Sequence, residues 1–188
     1  MGKGCLIAGG VVVVIGLIIG SSLMGMYNGL IGQDENCNKA WANVETVLQR
    51  RFDLIPNLVN TVKGYASHEK ELLEEVTRLR SQWGEAKTQN QKAQAGSLLD
   101  GALGKLMVVM ENYPDLKANQ NFIALQDELA GTENRISVER QRYNEAVQSY
   151  NTSIRSFPNV ILAGFMGLEK RTPFEAQQGA EQAPEVTF

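Results

Sequence analysis

The chain has few of the side chains on which catalysis and metal binding usually depend. Its 188 residues include one histidine, His68, and two cysteines, Cys5 and Cys37. A single histidine excludes both the paired imidazoles of a zinc-protease helix and the Glu-x-x-His pairs of di-iron bundles. The sequence also contains no Walker loop and no Gly-x-Gly-x-x-Gly turn. We therefore expect a protein that is not an enzyme and that binds no metal or cofactor.

Basic residues are not in excess. The chain carries 18 lysines and arginines against 21 acidic residues, which gives a formal net charge of −3. A nucleic-acid-binding domain presents a basic face to the phosphate backbone. The charge balance therefore predicts no nucleic-acid partner.

Charged residues are absent altogether between Lys3 and Asp34, and the stretch from Leu6 to Ile19 is wholly apolar. A helix that crosses the hydrocarbon core of a bilayer needs about 20 predominantly apolar residues. A cleaved signal peptide is the alternative, but no Ala-x-Ala cleavage site follows the run. We predict a single-pass transmembrane anchor at residues 1–32, in contact with the lipid bilayer.

The distribution of basic residues around this run predicts its orientation. Lys3 precedes the run, and Lys39 is the first basic residue after it. Positive charge favours the cytoplasmic side of a membrane. The C-terminal domain is therefore expected outside the cytoplasm.

Small residues recur at intervals of four in the predicted anchor. Gly16 and Gly20 form a Gly-x-x-x-Gly pair. Such pairs let membrane helices approach closely and associate, although glycine is also common in membrane helices that stay single. Gly16 and Gly20 are thus candidate oligomer contacts, and a homo-oligomer is expected.

The rest of the chain has apolar residues at helical spacings of three and four, and no strand pattern competes. The stripes are Trp41, Val44, Leu48, Phe52, Ile55, Leu58 or Val59, Val62 and Tyr65; Leu72, Leu73, Val76, Leu79 and Trp83; Leu98, Leu99, Leu103, Leu106, Met107, Met110 and Tyr113; and Phe122, Leu125, Leu129, Thr132, Ile136, Tyr143, Val147, Tyr150 and Ile154. Glycines at 96, 101 and 104 leave open whether residues 68–113 form one helix or two. We predict an all-α fold, with the anchor leading into an elongated antiparallel bundle of three to four long helices packed like a coiled coil at 33–168, followed by a C-terminal tail at 169–188.

A second apolar segment, residues 157–168, follows the bundle. It is too short to span a bilayer. Its candidate contact residues are Phe157, Val160, Ile161, Leu162, Phe165 and Met166. The segment is expected either to cap the bundle core or to contact another subunit or the membrane surface.

A proline lies within the first helical stripe, in the segment of residues 50–59. Pro56 removes one helical hydrogen bond and its ring clashes with the carbonyl of Phe52, at a cost of roughly 3 kcal/mol. The segment therefore predicts a kink near the middle of the bundle. Arg50, Arg51 and Asp53 are expected on the concave face of this kink or on a neighbouring face, where they can pair with acidic residues of another helix.

Several segments together resemble the LemA family of bacterial membrane proteins. The matching residues are Tyr27-Asn28-Gly29-Leu30, Trp41 with Val44, RRFDLIPNLV at 50–59, Thr61-Val62-Lys63-Gly64-Tyr65, His68-Glu69, Tyr143-Asn144, Tyr150-Asn151, and Phe157-Pro158 with Ala163-Gly164-Phe165. The resemblance makes Arg50, Arg51, Asp53, Pro56 and Asn57 a structural signature. It implies one N-terminal membrane helix, an antiparallel bundle and no established catalysis. It also implies the bacterial cytoplasmic (inner) membrane as the location but not the side on which the bundle lies; the periplasmic side is expected from Lys3 alone.

Two functions are compatible with the sequence. The first is a non-enzymatic scaffold that self-assembles and organises or shapes the bacterial membrane, as the occurrence of family members in magnetosome formation implies. The second is a membrane-tethered adaptor or sensor that binds a partner membrane protein, such as a protease or a phosphatase-like protein. The adaptor requires Arg50, Arg51 or Asp53 to contact the partner.

Overall fold

The computed structural model describes residues 2–66 and 68–174, with side chains from residue 9 onward, and this part of the chain contains helices but no strand. The helices are α1 (Gly2–Lys63), α2 (Lys70–Glu85), α3 (Gln89–Met110), α4 (Pro114–Lys117), α5 (Gln120–Ser153) and α6 (Asn159–Met166). The predicted all-α class is confirmed.

The chain divides into two compact units. The first unit is Met1–Lys39 with Asn144–Pro173, and the second is Ala40–Tyr143 with Phe174–Phe188. Residues 175–188, which make up most of the predicted C-terminal tail, lie outside the described residues.

The core of the second unit is built from the apolar stripes. The α1 stripe is buried from Trp41 to Val62, and only Tyr65 at its end is exposed. The stacked rings of Phe52 and Trp83, with centroids 4.6 Å apart, join α1 to α2. Burial of one face per helix is what the 3.6-residue period of an amphipathic helix predicts.

Residues 68–113 contain two long helices rather than one. The first, α2, ends at Glu85, and a capping box at Thr88 begins the second, α3. The Thr88 side chain accepts a hydrogen bond from the backbone N–H of Gln91 at 3.2 Å. In return, the Gln91 side chain accepts from the backbone N–H of Thr88 at 3.2 Å. This reciprocal pair satisfies amide groups that have no partner within the helix. The open question about this region is thus settled in favour of a break at residues 86–88.

The long helices of the second unit alternate in direction. The contacts that fix this, in order along α1, are Trp41 with Tyr143, Glu45 with Lys92, Arg50 with Glu128, and Arg51 with Asp100. Partner numbers rise along α3 and fall along α5, so α1 runs parallel to α3 and antiparallel to α5. Because short turns join α1 to α2 and α2 to α3, the unit is an up–down–up–down helical bundle.

In the first unit, the side chains of the apolar run of α1 are exposed. The large apolar side chains from Val11 to Met24 are all about half exposed or more, and Leu17 is 69% exposed. Of the helices described, α1 is the one long and apolar enough to cross a membrane, judged by length and composition. Burial begins at Leu30 and recurs at Cys37, where other parts of the unit cover the helix.

Candidate functional site

The two adjacent arginines of the signature segment have different surroundings. The Arg50 side chain is 58% exposed, and its Nη2 donates to Glu128 Oε1 of α5 at 2.7 Å. The Arg51 side chain is 7% exposed. Consecutive residues on a helix point about 100° apart, so one arginine faces solvent while the other enters the bundle. Both arginines pair with acidic residues of other helices, as the sequence predicted.

Arg51 belongs to an ion cluster that joins α1, α3 and α5 and that is buried except at Glu133, whose side chain is 46% exposed. Its Nη1 donates to Asp100 Oδ1 at 2.5 Å and also pairs with Glu133. The other Asp100 oxygen accepts from Arg140 Nη2 at 3.3 Å. Two cations and two carboxylates thus compensate each other within the bundle, and we name these four residues the Arg51 cluster.

Burial dominates the electrostatics of the Arg51 cluster. Desolvation raises the pKa of Asp100 above its ordinary value, although Arg51 and Arg140 both oppose the rise. Among the described residues, the Nε atoms of both arginines are buried without an acceptor. A buried ion pair costs desolvation energy, so its best-supported use is to specify one arrangement of the helices rather than to add stability.

The remaining signature residues lie on or near the surface of α1. Asp53 is exposed and accepts a hydrogen bond from Gln49 of the same helix at 2.8 Å. Pro56 is half-buried inside α1, which continues beyond it to Lys63. Asn57 is exposed. None of these three side chains is brought into the Arg51 cluster, and the predicted kink at Pro56 stays a prediction.

No reactive constellation is assembled in the part of the chain that the structure describes. His68 is exposed, and the adjacent Glu69 accepts a hydrogen bond from the Tyr113 hydroxyl at 2.9 Å. This hydrogen bond raises the pKa of Tyr113. Within the described ranges, no three His, Cys, Asp or Glu side chains are grouped so that they could hold a metal ion.

The candidate contact residues of the anchor are uncovered. A Cβ atom added at Gly16 or at Gly20 would meet no atom within 4 Å. Both positions are therefore open to a neighbouring helix or to lipid.

The apolar segment at 157–168 forms α6 and the residues beside it, and most of its large side chains face outward. Phe157, Val160, Ile161 and Phe165 are exposed, whereas Leu162 and Met166 are half-buried. Ala163 is the buried position of this helix. Gly167 ends α6 in the left-handed conformation, with φ of +66°, which glycine adopts without steric cost. One side of α6 is therefore covered, and Phe165 on the helix and Phe157 just before it are left in the open. Whether the segment caps the bundle core or contacts another subunit or the membrane stays a prediction.

Comparison with known proteins now identifies the bundle. The sequence model of the LemA family matches residues 40–188, which is more than half of the chain. The chain belongs to the LemA family. The resemblance found in the sequence is confirmed.

The similar proteins include magnetosome proteins and a protein named LemA. Magnetosome protein MamQ 2 of Paramagnetospirillum magneticum is 28% identical, over 89% of this chain and 71% of its own length. Magnetosome protein MamQ of Magnetospirillum gryphiswaldense is 27% identical with the same coverage. Protein LemA of Metamycoplasma hominis is 24% identical, over 82% of this chain and 71% of its own.

One feature of this LemA family member was missed by sequence reasoning, which assigned Arg171 to the tail. Its Nε donates to Asp34 Oδ1 at 3.0 Å, and its Nη2 donates to Asn38 Oδ1 at 2.8 Å. The Asn151 side chain binds the Arg171 backbone twice, accepting from the N–H at 2.9 Å and donating to the carbonyl at 2.8 Å. We name these four residues the Arg171 clamp. The one available signal was Asp34, the first charged residue after a long uncharged run.

The thiol of Cys37 is buried close to Arg171 and Asp34 of the Arg171 clamp. Burial is the main reason that the pKa of this thiol is raised, and nearby Arg171 opposes the rise. A buried thiol with a raised pKa carries little thiolate and behaves as a small apolar side chain. Cys37 is thus a packing residue rather than a nucleophile.

Proposed function

We propose that this protein is a non-enzymatic, membrane-anchored helical scaffold that self-assembles and organises or shapes the bacterial membrane. The observation that carries the proposal is the uncovered apolar run of α1, since apolar side chains exposed to this extent mark a membrane or an interaction surface. The similarity to proteins named magnetosome proteins supports the membrane-organising role.

Self-assembly is proposed to use the glycine face of the anchor. Gly16 and Gly20 stack one turn apart on α1 with open space beside them. Without side chains at these positions, a second α1 helix can approach closely, and close packing is what drives association in lipid. An equivalent contact from each copy would join anchors into homo-oligomers.

We predict that the full-length protein is oligomeric in a mild detergent and that the double variant Gly16→Ile/Gly20→Ile shifts it towards monomer. Two β-branched side chains would hold the helix backbones apart. Light scattering after size-exclusion chromatography gives the mass. Gly10→Ile is the matched control, because position 10 lies on another face of α1. A strict monomer at high concentration for the unmodified protein would contradict self-assembly.

The orientation is proposed from the position of Lys3 before the apolar run. We infer that the bundle lies in the periplasm and that the protein crosses the inner membrane once. An alkaline phosphatase fused after Phe188 is expected to be active, because this enzyme requires the oxidising periplasm to form its disulfides. A fusion that is made in full but stays inactive would reverse the assignment. The same enzyme fused before Met1 serves as the control and should be inactive.

The adaptor alternative finds less support. It requires a partner to contact Arg50, Arg51 or Asp53. Arg51 is buried and Arg50 is paired with Glu128, which leaves the exposed Asp53 as the more accessible of the three. A partner would have to break the Arg51 cluster to use that cation. The scaffold is therefore the better explanation of the signature segment.

A further inference from the structure

The outward face of α6 is an apolar surface without a partner in the first unit. Ile161 and Phe165 lie one turn apart on α6 and are 55% and 86% exposed, and Phe157, in the turn before the helix, is 81% exposed. Val160 adds to the same exposed surface, while Ala163 points inward at 3% exposed. We name the surface formed by these four exposed residues the α6 face. Phe165 on α6 and Phe157 just before it are both largely exposed, and exposed apolar side chains this large and this close together mark a contact surface.

The Arg171 clamp determines how far α6 lies from the end of the apolar run. Arg171 holds Asp34 and Asn38 on α1, and Asp34 stands three residues after Ile31. Three residues advance about 4.5 Å along a helix. The clamp therefore sits within one helical turn of the last exposed apolar residue of the α1 run.

Both ends of α6 are tied closely to this clamp. Met166, where α6 ends, is five residues from Arg171, a distance that an extended chain spans in at most about 18 Å. At the other end, Asn151 binds the Arg171 backbone and α5 continues for only two more residues. The turn into α6 is itself fixed, since the Val160 amide donates to the Ser156 carbonyl at 2.8 Å. As a result, α6 cannot move far from the end of the apolar run.

The residues that flank the α6 face fit a lipid surface. Arg155 precedes it and Lys170 follows it, both exposed, with Glu169 as the one exposed acidic neighbour. Cationic side chains beside an apolar face are attracted to anionic headgroups, and aromatic rings favour the membrane–water boundary. A second copy of the chain would not explain why this face is tied to the end of the apolar run.

We propose that the α6 face lies in the interfacial region of the bilayer, with its phenylalanines at the boundary between headgroups and acyl chains. The inference rests on the proposed membrane anchorage of α1. It gives the protein two membrane contacts, a spanning helix and a short interfacial helix held at its base by the Arg171 clamp. A helix that lies in one leaflet occupies area there, which is a direct way for a scaffold to act on membrane shape.

Tryptophan quenching by lipids with brominated acyl chains tests the proposal in the full-length protein. Three variants, Leu17→Trp, Phe165→Trp and Val108→Trp, are placed in vesicles of phosphatidylethanolamine and phosphatidylglycerol, with or without bromine. Val108 is the matched control, because it is an apolar residue of α3 and is 71% exposed. The fluorescence of the added tryptophan is obtained by subtracting the fluorescence of the parent protein. The two tryptophans of the parent, Trp41 and Trp83, are buried.

We expect bromine to lower the added signal at least about twofold for Leu17→Trp and Phe165→Trp, because an interfacial helix is buried about 5–10 Å into the boundary. Val108→Trp should change little. If Leu17→Trp is quenched but Phe165→Trp behaves like Val108→Trp, the α6 inference is overturned while the anchorage stands. If the tryptophan of Phe165→Trp is quenched neither by brominated lipid nor by acrylamide in the aqueous phase, the α6 face is covered by a protein partner instead. If Leu17→Trp also fails to respond, the anchorage itself is wrong.

Discussion

Replacing Arg51 with methionine should lower the free energy of unfolding by about 3–5 kcal/mol, the range found when one partner of a buried ion pair is removed. Methionine keeps the length of the side chain but leaves Asp100 inside the bundle with Arg140 as its only cation. The Asp100 side chain is only 8% exposed, so its carboxylate would stay largely desolvated without the lost partner. The cost comes from the uncompensated charge rather than from a cavity.

Arg50→Met is the matched control, since it makes the same change at the preceding residue. Its partner Glu128 is 39% exposed, and exposed pairs contribute about 0–1 kcal/mol. Chemical denaturation of the full-length protein in detergent, followed by circular dichroism and tryptophan fluorescence, measures both variants. Similar small losses for the two arginines would show that the Arg51 cluster does not behave as a buried ion network.

The effect of Arg51→Met should depend on pH in a definite direction. Burial raises the pKa of Asp100 above its value in the unfolded chain, and removing Arg51 takes away a cation that opposes the rise. A carboxyl group with a raised pKa in the folded state favours folding when it is protonated, and this contribution is lost as the pH rises through the folded pKa. The destabilisation should therefore shrink as the pH falls from 7 towards 5. Asp100→Asn in the same background should remove this pH dependence.

The sequence was sufficient for features that depend on local pattern. Helical period, the apolar stripes and the uncharged run predicted the all-α fold and the helix that is able to cross a membrane. The break before α3 was also encoded locally, because Thr88 and Gln91 have the spacing of a capping box. Individual positions such as Tyr65 and Leu98 follow the period but are 45% and 51% exposed, so the period alone did not fix their burial.

Features that depend on residues far apart in the sequence could not be predicted from local pattern. Arg50 and Arg51 are chemically identical neighbours, and only the positions of Asp100 and Glu133, 49 and 82 residues away, make them different. Gly96 is a similar case. From the sequence alone, a glycine inside a helix is expected only to lower the stability of that helix. A Cβ atom there would lie 3.3 Å from a methyl carbon of Leu48, so the glycine permits close contact between α3 and α1. The Arg171 clamp likewise joins residues that are more than 130 positions apart in sequence.

Pro56→Ala is expected to raise the free energy of unfolding by about 1–3 kcal/mol. Alanine restores the hydrogen bond to the Phe52 carbonyl and removes the clash of the proline ring, together worth about 3 kcal/mol in a helix interior. Part of this gain is lost, because proline also restricts the unfolded chain by about 0.4–1 kcal/mol. Since α1 already continues through position 56, alanine requires no new backbone conformation.

Asn57→Ala is the control for Pro56→Ala, because Asn57 is exposed and its change should stay within about 0.5 kcal/mol. The same denaturation experiment measures both. A loss of stability in Pro56→Ala would show that a bend at the proline is needed to bring Ile55 and Leu58, both fully buried, into the core. A gain in stability in Pro56→Ala would mean that Pro56 destabilises the fold. Its place in the signature segment would then need a reason other than stability. The mass of Pro56→Ala in detergent separates the remaining explanations: a weaker oligomer would assign the proline to assembly, and an unchanged oligomer would exclude that role.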